Sequence, residues 1–293
     1  MKQLLKIDYQ DFMIIITFFL FWVSIQFGEI IEDTIAYIFV LSLGIIHGAN
    51  DLNILQKKKI KKNNFGRSLF IYLLIILFCI LSYLAAPFLS MLAFILLSAY
   101  HFGEQHLEKK LVPFGKLKGF VFVVYGLFIF SLLFHENIQD VNVIMSSLTD
   151  TELSLEFVRY TLIILSVLLI SVPVYIKVNK LSLEINYFKE LLYLFVLFLI
   201  FKTGSLIFGF AVYFVFWHSI PSIADQIRYL FGTQNKRSVT KYFKAAFFYW
   251  VLSISGLVLG YYLLDEHLFK TVLFLILFAV TAPHTWVMKR MKE

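Results

Sequence analysis

A single cysteine, Cys79, lies inside an apolar run, which excludes a disulfide framework and a thiolate metal site. Proline and glycine are scarce, five and thirteen in 293 residues, and no solenoid repeat or low-complexity stretch is visible. No polar stretch is long enough to fold alone; the longest, about 135–155, falls far short of a domain. The alternating ten-residue segments of a transmembrane β-barrel are also missing. Whatever the chain does, it does within its apolar portion.

That portion dominates. The chain is 60% hydrophobic with a mean hydropathy of +0.82, against about 45–50% apolar for soluble chains. About ten runs have the length needed to cross a hydrocarbon core: roughly 11–27, 33–52, 68–86, 88–106, 117–134, 156–176, 188–202, 205–229, 242–263 and 269–288. The first has the look of a signal peptide, but it lacks a small-residue cleavage site and reads as a retained helix. The net charge of +7 does not point to nucleic acid, because the basic residues sit between apolar runs. Alternate loops, 1–10, 56–67, 107–118, 177–189, 228–244 and the C-terminus, carry 23 of the 26 Lys and Arg. Loops on the opposite side, such as 28–33, are acidic or neutral. The positive-inside rule then predicts an all-α integral membrane protein. Its fold is a polytopic bundle of about ten transmembrane helices, with both termini cytoplasmic and 1–293 as one domain.

Four of the seven histidines fall within these runs, on spans of the same direction: His47 late in the second, His101 late in the fourth, His218 in the eighth and His284 late in the tenth. Ionisable groups inside a membrane are expensive and mark function. The spacing predicts that these imidazoles meet at one depth near the cytoplasmic side and hold a metal. His106, His135 and His267 fall in loops or at helix ends; His106 reads as solvated, or as a substitute ligand.

The neighbours of the histidines sharpen this. Gly44-Ile-Ile-His-Gly-Ala-Asn-Asp51 places His47 and Asp51 four residues apart on one helix face. A carboxylate there can take the second ring N–H of a bound histidine, His47 or one on another helix; the plainer alternative is an interfacial Asp51 and a His47 satisfied by a carbonyl. Gly44 and Gly48 form a G-x-x-x-G that admits a close neighbour. Glu104 and Gln105 follow His101 by three and four residues, and Gly103 again permits close packing. Ser222 and Asp225 share a face with His218. Pro221 and Pro283 stand beside His218 and His284, where each predicts a kink or local unwinding. Imidazoles without thiolates suit iron, copper or zinc. An open position among apolar helices suits oxygen chemistry on a lipid-soluble substrate, with Asp51, Glu104 and Asp225 as candidate supporting groups.

The ordered set His47-Gly-Ala-x-Asp51, Ala99-Tyr-His-Phe-Gly-Glu104, Phe216-Trp-His-Ser219 and Pro283-His284 resembles the Brp/Blh family of membrane β-carotene 15,15′-dioxygenases, over about residues 40–288. The resemblance implies a non-haem Fe(II) enzyme that splits β-carotene at its central double bond with O2 into two retinal molecules. It also implies retinal supply to a microbial rhodopsin and a place in a cytoplasmic membrane. The family's second histidine, four residues after the Trp-His one, is Ser222 here. The implied ligands are therefore His47, His101 and His218, with His284 completing four; Asp225 or a water is the alternative.

Two rival classes use the same residues. A haem-binding electron-transfer protein would take the four histidines as axial pairs. A transporter would use buried His and Asp as proton relays, but should show internal repeats with broken helices in matching halves. A desaturase-type di-iron enzyme needs about twice as many histidines.

Overall fold

The computed structural model describes residues 9–57, 64–180 and 185–292. Much of the basic loops 1–10 and 56–67 lies outside them. The described elements are helical, as a lipid environment demands, because a helix satisfies its own backbone polar groups. In chain order they are α1 (Tyr9–Gln26), α2 (Glu29–Lys57), α3 (Asn64–Ala85), α4 (Pro87–Leu107), α5 (Lys118–Glu136), α6 (Ile138–Thr149), α7 (Leu155–Val178), α8 (Tyr187–Thr203), α9 (Leu206–Phe231), α10 (Lys236–Leu263) and α11 (Glu266–Lys292).

Nine helices among the described residues are long and apolar enough to cross a membrane. The seventh expected span, 188–202, is α8, with 17 residues, at the short end of the crossing range. α6 is the addition: the stretch 135–155 was expected to be a loop but holds a 12-residue helix. Its Val141, Met145 and Leu148 repeat at i, i+4 and i+7 and are buried. Asn142 clasps both backbone groups of Leu153, at 2.8 and 3.0 Å, and Tyr83 donates to the Leu148 carbonyl at 3.0 Å. A short amphipathic helix thus closes one end of the bundle.

Helix starts follow local chemistry. Ser154, Asn186, Ser205 and Asn235 each cap the N–H three residues on, and Pro87 opens α4. The tightest packing joins α4 to α5. A Cβ on Gly103 would lie 2.0 Å from the Phe122 carbonyl oxygen, and one on Gly126 would lie 2.0 Å from that of Ala99. Backbone-to-backbone contact of this kind needs glycine on both sides.

α9 is the buried centre, with Phe208, Ala211, Val212, Val215, Trp217 and His218 all shielded. Its first turn is anchored by α2: the Ser205 N–H donates to Glu32 Oε2 at 2.7 Å and its hydroxyl to Asp33 Oδ1 at 2.6 Å. α1 adds two ties, Tyr9 Oη to the Phe216 carbonyl at 2.7 Å and Trp217 Nε1 to Thr17 Oγ1 at 3.1 Å. α10 contrasts with it: only Ser238, Tyr242 and Ala246 are buried, all in its first half.

Two helices widen at the histidines. π-helical turns occupy Val40–Gly44, just before His47, and Tyr213–Ser219, which includes His218. The N–H groups of Ile45 and Ile220 accordingly reach back five residues, to Val40 and Val215. Such turns cluster at functional sites. The unwinding expected beside the prolines does not occur. Pro221 and Pro283 both lie inside continuous helix, and the distortion near His218 is the π-widened turn that precedes Pro221 rather than a break. The expected G-x-x-x-G packing is half met. A Cβ at Gly44 would come within 2.9 Å of the Phe214 ring, whereas one at Gly48 would meet nothing within 4 Å.

Candidate metal centre

The four predicted histidines converge from α2, α4, α9 and α11. Their rings form a closed circuit: His47 to His218, 5.3 Å between centroids; His218 to His101, 4.6 Å; His101 to His284, 5.2 Å; His284 to His47, 4.8 Å. Neighbouring planes meet at 74° to 87°. All four are buried, at 7%, 1%, 1% and 4% exposure for His47, His101, His218 and His284. An imidazole nitrogen about 2.1 Å from a first-row metal puts its ring centroid roughly 3.2 Å away, so neighbouring ligands have centroids about 4.5–5.3 Å apart. The circuit has that scale.

The hydrogen bonds point the same way. Nδ1–H of His47 donates to the Gly44 carbonyl, and Nδ1–H of His284 donates to Asp51 Oδ1 at 2.8 Å. A carbonyl and a carboxylate only accept, so in both rings the proton is on Nδ1 and Nε2 keeps its lone pair. Each reading of this segment is thus met in one half: a carbonyl satisfies His47, as in the plainer one, while Asp51 is not merely interfacial but accepts from a histidine on a neighbouring helix. Both ring nitrogens of His101, both of His218 and Nε2 of His284 are buried with no hydrogen-bond partner. Five orphaned ring nitrogens in one cluster are costly without something to bind. The rings are gathered, but their donor atoms are not already set as a closed sphere: among the described residues, no group of three or more His, Cys, Asp or Glu meets the spacing of a metal site as it stands. Between these two observations, ring spacing and orphaned nitrogens carry more weight, because small rotations about χ2 re-aim a nitrogen and leave the centroid in place.

Around the circuit, further residues hold it in place. Tyr72 Oη donates to Asp51 Oδ2 at 3.3 Å. Gln226 Nε2 donates to the His47 carbonyl at 2.8 Å and to Ser222 Oγ at 3.1 Å, while Tyr242 Oη donates to Gln226 Oε1 at 2.8 Å. Ser222, at the position of the resembled family's second histidine, is buried against Met288, 3.9 Å from its sulfur. Phe102 lies over His218 with centroids 4.4 Å apart. Of these partners, Tyr72, Gln226, Tyr242 and Met288 carry no sequence signal that separates them from ordinary core residues, whereas Phe102 falls within the quoted Ala99–Glu104 motif.

Other expected groups go elsewhere. Glu104 is buried and faces Lys292, 3.1 Å away as an ion pair outside hydrogen-bond angles, and Tyr100 at 3.5 Å. Asp225 pairs with Lys109 at 2.9 Å and accepts from Gln105 at 3.2 Å. His106 is neither solvated nor part of the circuit. Its Nε2 donates to Glu190 Oε2 at 2.8 Å and its ring stacks on Tyr125, 5.0 Å away at 4°. Lys110 pairs with the second Glu190 oxygen, so α4 and α8 are locked by a charged cluster that draws His106 away.

A family model described as β-carotene 15,15′-dioxygenase matches residues 38–292, from within α2 to the end of α11, and takes in all four histidines. No curated protein and no solved structure matches the chain. With the converging imidazoles and the extent of that match, the chain belongs to the β-carotene 15,15′-dioxygenase family of carotenoid-cleaving oxidoreductases.

Proposed function

We propose that this protein is an iron-dependent dioxygenase of the cell (cytoplasmic) membrane that cleaves β-carotene at its central 15,15′ double bond with O2, giving two all-trans-retinal. The observation that carries this is the closed circuit of four buried imidazoles with five unpartnered ring nitrogens. His47, His101, His218 and His284 would hold Fe(II). The metal would supply a redox centre at which O2 is activated for addition across a C=C bond. One oxygen atom ends on each half of the substrate as an aldehyde, so no proton donor or acceptor is consumed and no general base is needed.

The chain's own residues orient and exclude. The Gly44 carbonyl and Asp51 fix the tautomers of His47 and His284, which aims two Nε2 lone pairs inward. Gln226 and Tyr242 hold the backbone of His47 in place. Phe102 and Phe214 wall the circuit with apolar rings. The Glu104–Lys292 ion pair ties α4 to α11, the helices that carry His101 and His284. The basic-loop asymmetry supports cytoplasmic termini, and a microbial rhodopsin is the fitting recipient of retinal.

The haem reading is weaker on geometry. Adjacent rings in the circuit are too close to flank a porphyrin, and for either opposite pair the other two imidazoles stand where the macrocycle would lie.

Expression in a β-carotene-accumulating host tests the proposal, with retinal and protein-bound iron both measured and His47→Ala and His284→Ala compared. Retinal from the parent and its loss in both variants is the expected result. Unchanged carotene with iron-loaded protein would overturn the substrate; retinal from metal-free protein would overturn the metal.

A further inference from the structure

A rigid apolar polyene dissolved in the bilayer must reach the four imidazoles from the side, so one flank of the circuit must admit it. Most flanks are closed. Phe102, 6% exposed, covers His101 and His218. Asp51 and Tyr72 back His284. Ser222 and Met288 pack together beside Gln226, which holds the His47 carbonyl, and the Glu104–Lys292 pair links the helices of His101 and His284.

The remaining flank belongs to Phe214. Among the described residues it is the one aromatic that touches two of the four imidazoles without being buried itself. Its ring meets His47 edge-on at 5.3 Å and lies nearly parallel to His218, at 16° and 5.8 Å. His47 is also the most exposed of the four histidines, at 7%. One turn back along α9, Phe210 stacks on Phe214 at 5.3 Å and 9°, and it too is only partly buried. Phe210, Phe214 and His218, at i, i+4 and i+8, therefore form a ladder of near-parallel rings that runs along the α9 axis to the circuit. Gly44 makes room for it, because a Cβ there would come within 2.9 Å of the Phe214 ring.

We propose that Phe210 and Phe214 form an aromatic track along α9, seated over Gly44, against whose partly exposed edge one half of the polyene substrate rests during cleavage. This rests on the dioxygenase reading and deepens it by naming the residues that select for length and planarity. The faces of these rings are turned to one another, so a conjugated chain lying along the ladder presents its π face to their edges, and edge-to-face contacts of this kind favour a flat partner. Phe210 and Phe214 touch the substrate but exchange no electrons or protons with it, so they are positioning residues.

The test uses the purified full-length protein in detergent, with Phe214→Leu, Phe210→Leu and Gly44→Ala compared with the parent. Leucine keeps apolar bulk and removes the plane. β-Carotene and an apocarotenal shortened at one end, both containing the central double bond, serve as substrates. Bound carotenoid is read from visible absorbance, iron content and melting temperature are recorded, and KM is separated from kcat. The track predicts about a tenfold rise in KM for β-carotene with Phe214→Leu. It predicts a smaller rise with Phe210→Leu, loss of co-purified carotenoid, unchanged iron, and a changed preference between the two substrates. Gly44→Ala should act in the same direction by displacing the Phe214 ring. Unchanged KM, retention and preference in both leucine variants would overturn the track, as would a fall in iron content that accounts for the loss. A parent protein that neither binds nor cleaves β-carotene would instead overturn the dioxygenase reading itself.

Discussion

The imidazole of His284 and the carboxylate of Asp51 meet at 2.8 Å, across 233 positions of sequence, with both side chains nearly sealed from solvent. The contact joins the last helix to the second and sets the tautomer of one ring in the four-imidazole circuit. It also gives Asp51 a definite role: it positions a candidate ligand.

Asp51→Ala should therefore weaken metal retention by about 10- to 100-fold, the usual cost of losing such a partner. Asp51→Asn should cost less, because its amide oxygen still accepts from Nδ1. Iron content after dialysis against a graded chelator series checks both variants.

Ser222 stands one turn beyond His218, packed against Met288. His284→Ala should lose iron. Ser222→His combined with Met288→Ala, which clears the space the sulfur fills, should restore a fourth imidazole to the His284→Ala background. Recovery of at least part of the bound iron in the triple variant is the expected outcome, measured by elemental analysis.

Gly103 and Gly126 let two backbones touch. Gly126→Val should push α4 off α5 and cost about 3 kcal/mol or more, beyond the usual range of overpacking because backbone must move. A fall in melting temperature and in folded yield, with Gly48→Ala as a neutral comparison, checks this.

Removing the metal should destabilise the protein, since five buried ring nitrogens then lack partners. Free Fe(II) at 100 times its Kd should add about 2.7 kcal/mol of stability relative to the metal-free form. Thermal melts in detergent across an Fe(II) titration, with Mg(II) as the oxygen-preferring comparison, measure the effect.

Tyr242→Phe removes the hydroxyl that holds Gln226, which in turn holds the His47 carbonyl. A stability loss of about 1 kcal/mol is expected, with a drop in turnover larger than that loss explains if the geometry of His47 matters to the reaction. Melting temperature and kcat measured on the same preparation separate the two.

Much of the molecule was legible along the chain. Run length and composition determine membrane helices, because a bilayer of fixed thickness leaves a segment little alternative. Histidines in those runs announce a site, because lipid tolerates few unpaired polar groups. His47, His101, His218 and His284 needed no structure to be singled out, and Gly103 declared close packing by lacking a side chain. Which partner each side chain meets belonged to the tertiary fold. Asp51 supports His284, four residues from His47 though it is; Glu104 turns to Lys292; His106 is drawn to Glu190 on another helix. The amphipathic α6 hid in a stretch too polar and short to stand out, and the π turns at Val40–Gly44 and Tyr213–Ser219 have no one-dimensional signature. The division has one physical cause. Burial in lipid is a property of each segment, summed along the chain, whereas direction around a helix axis and contact between helices depend on rotations and offsets set only when all the rods pack together.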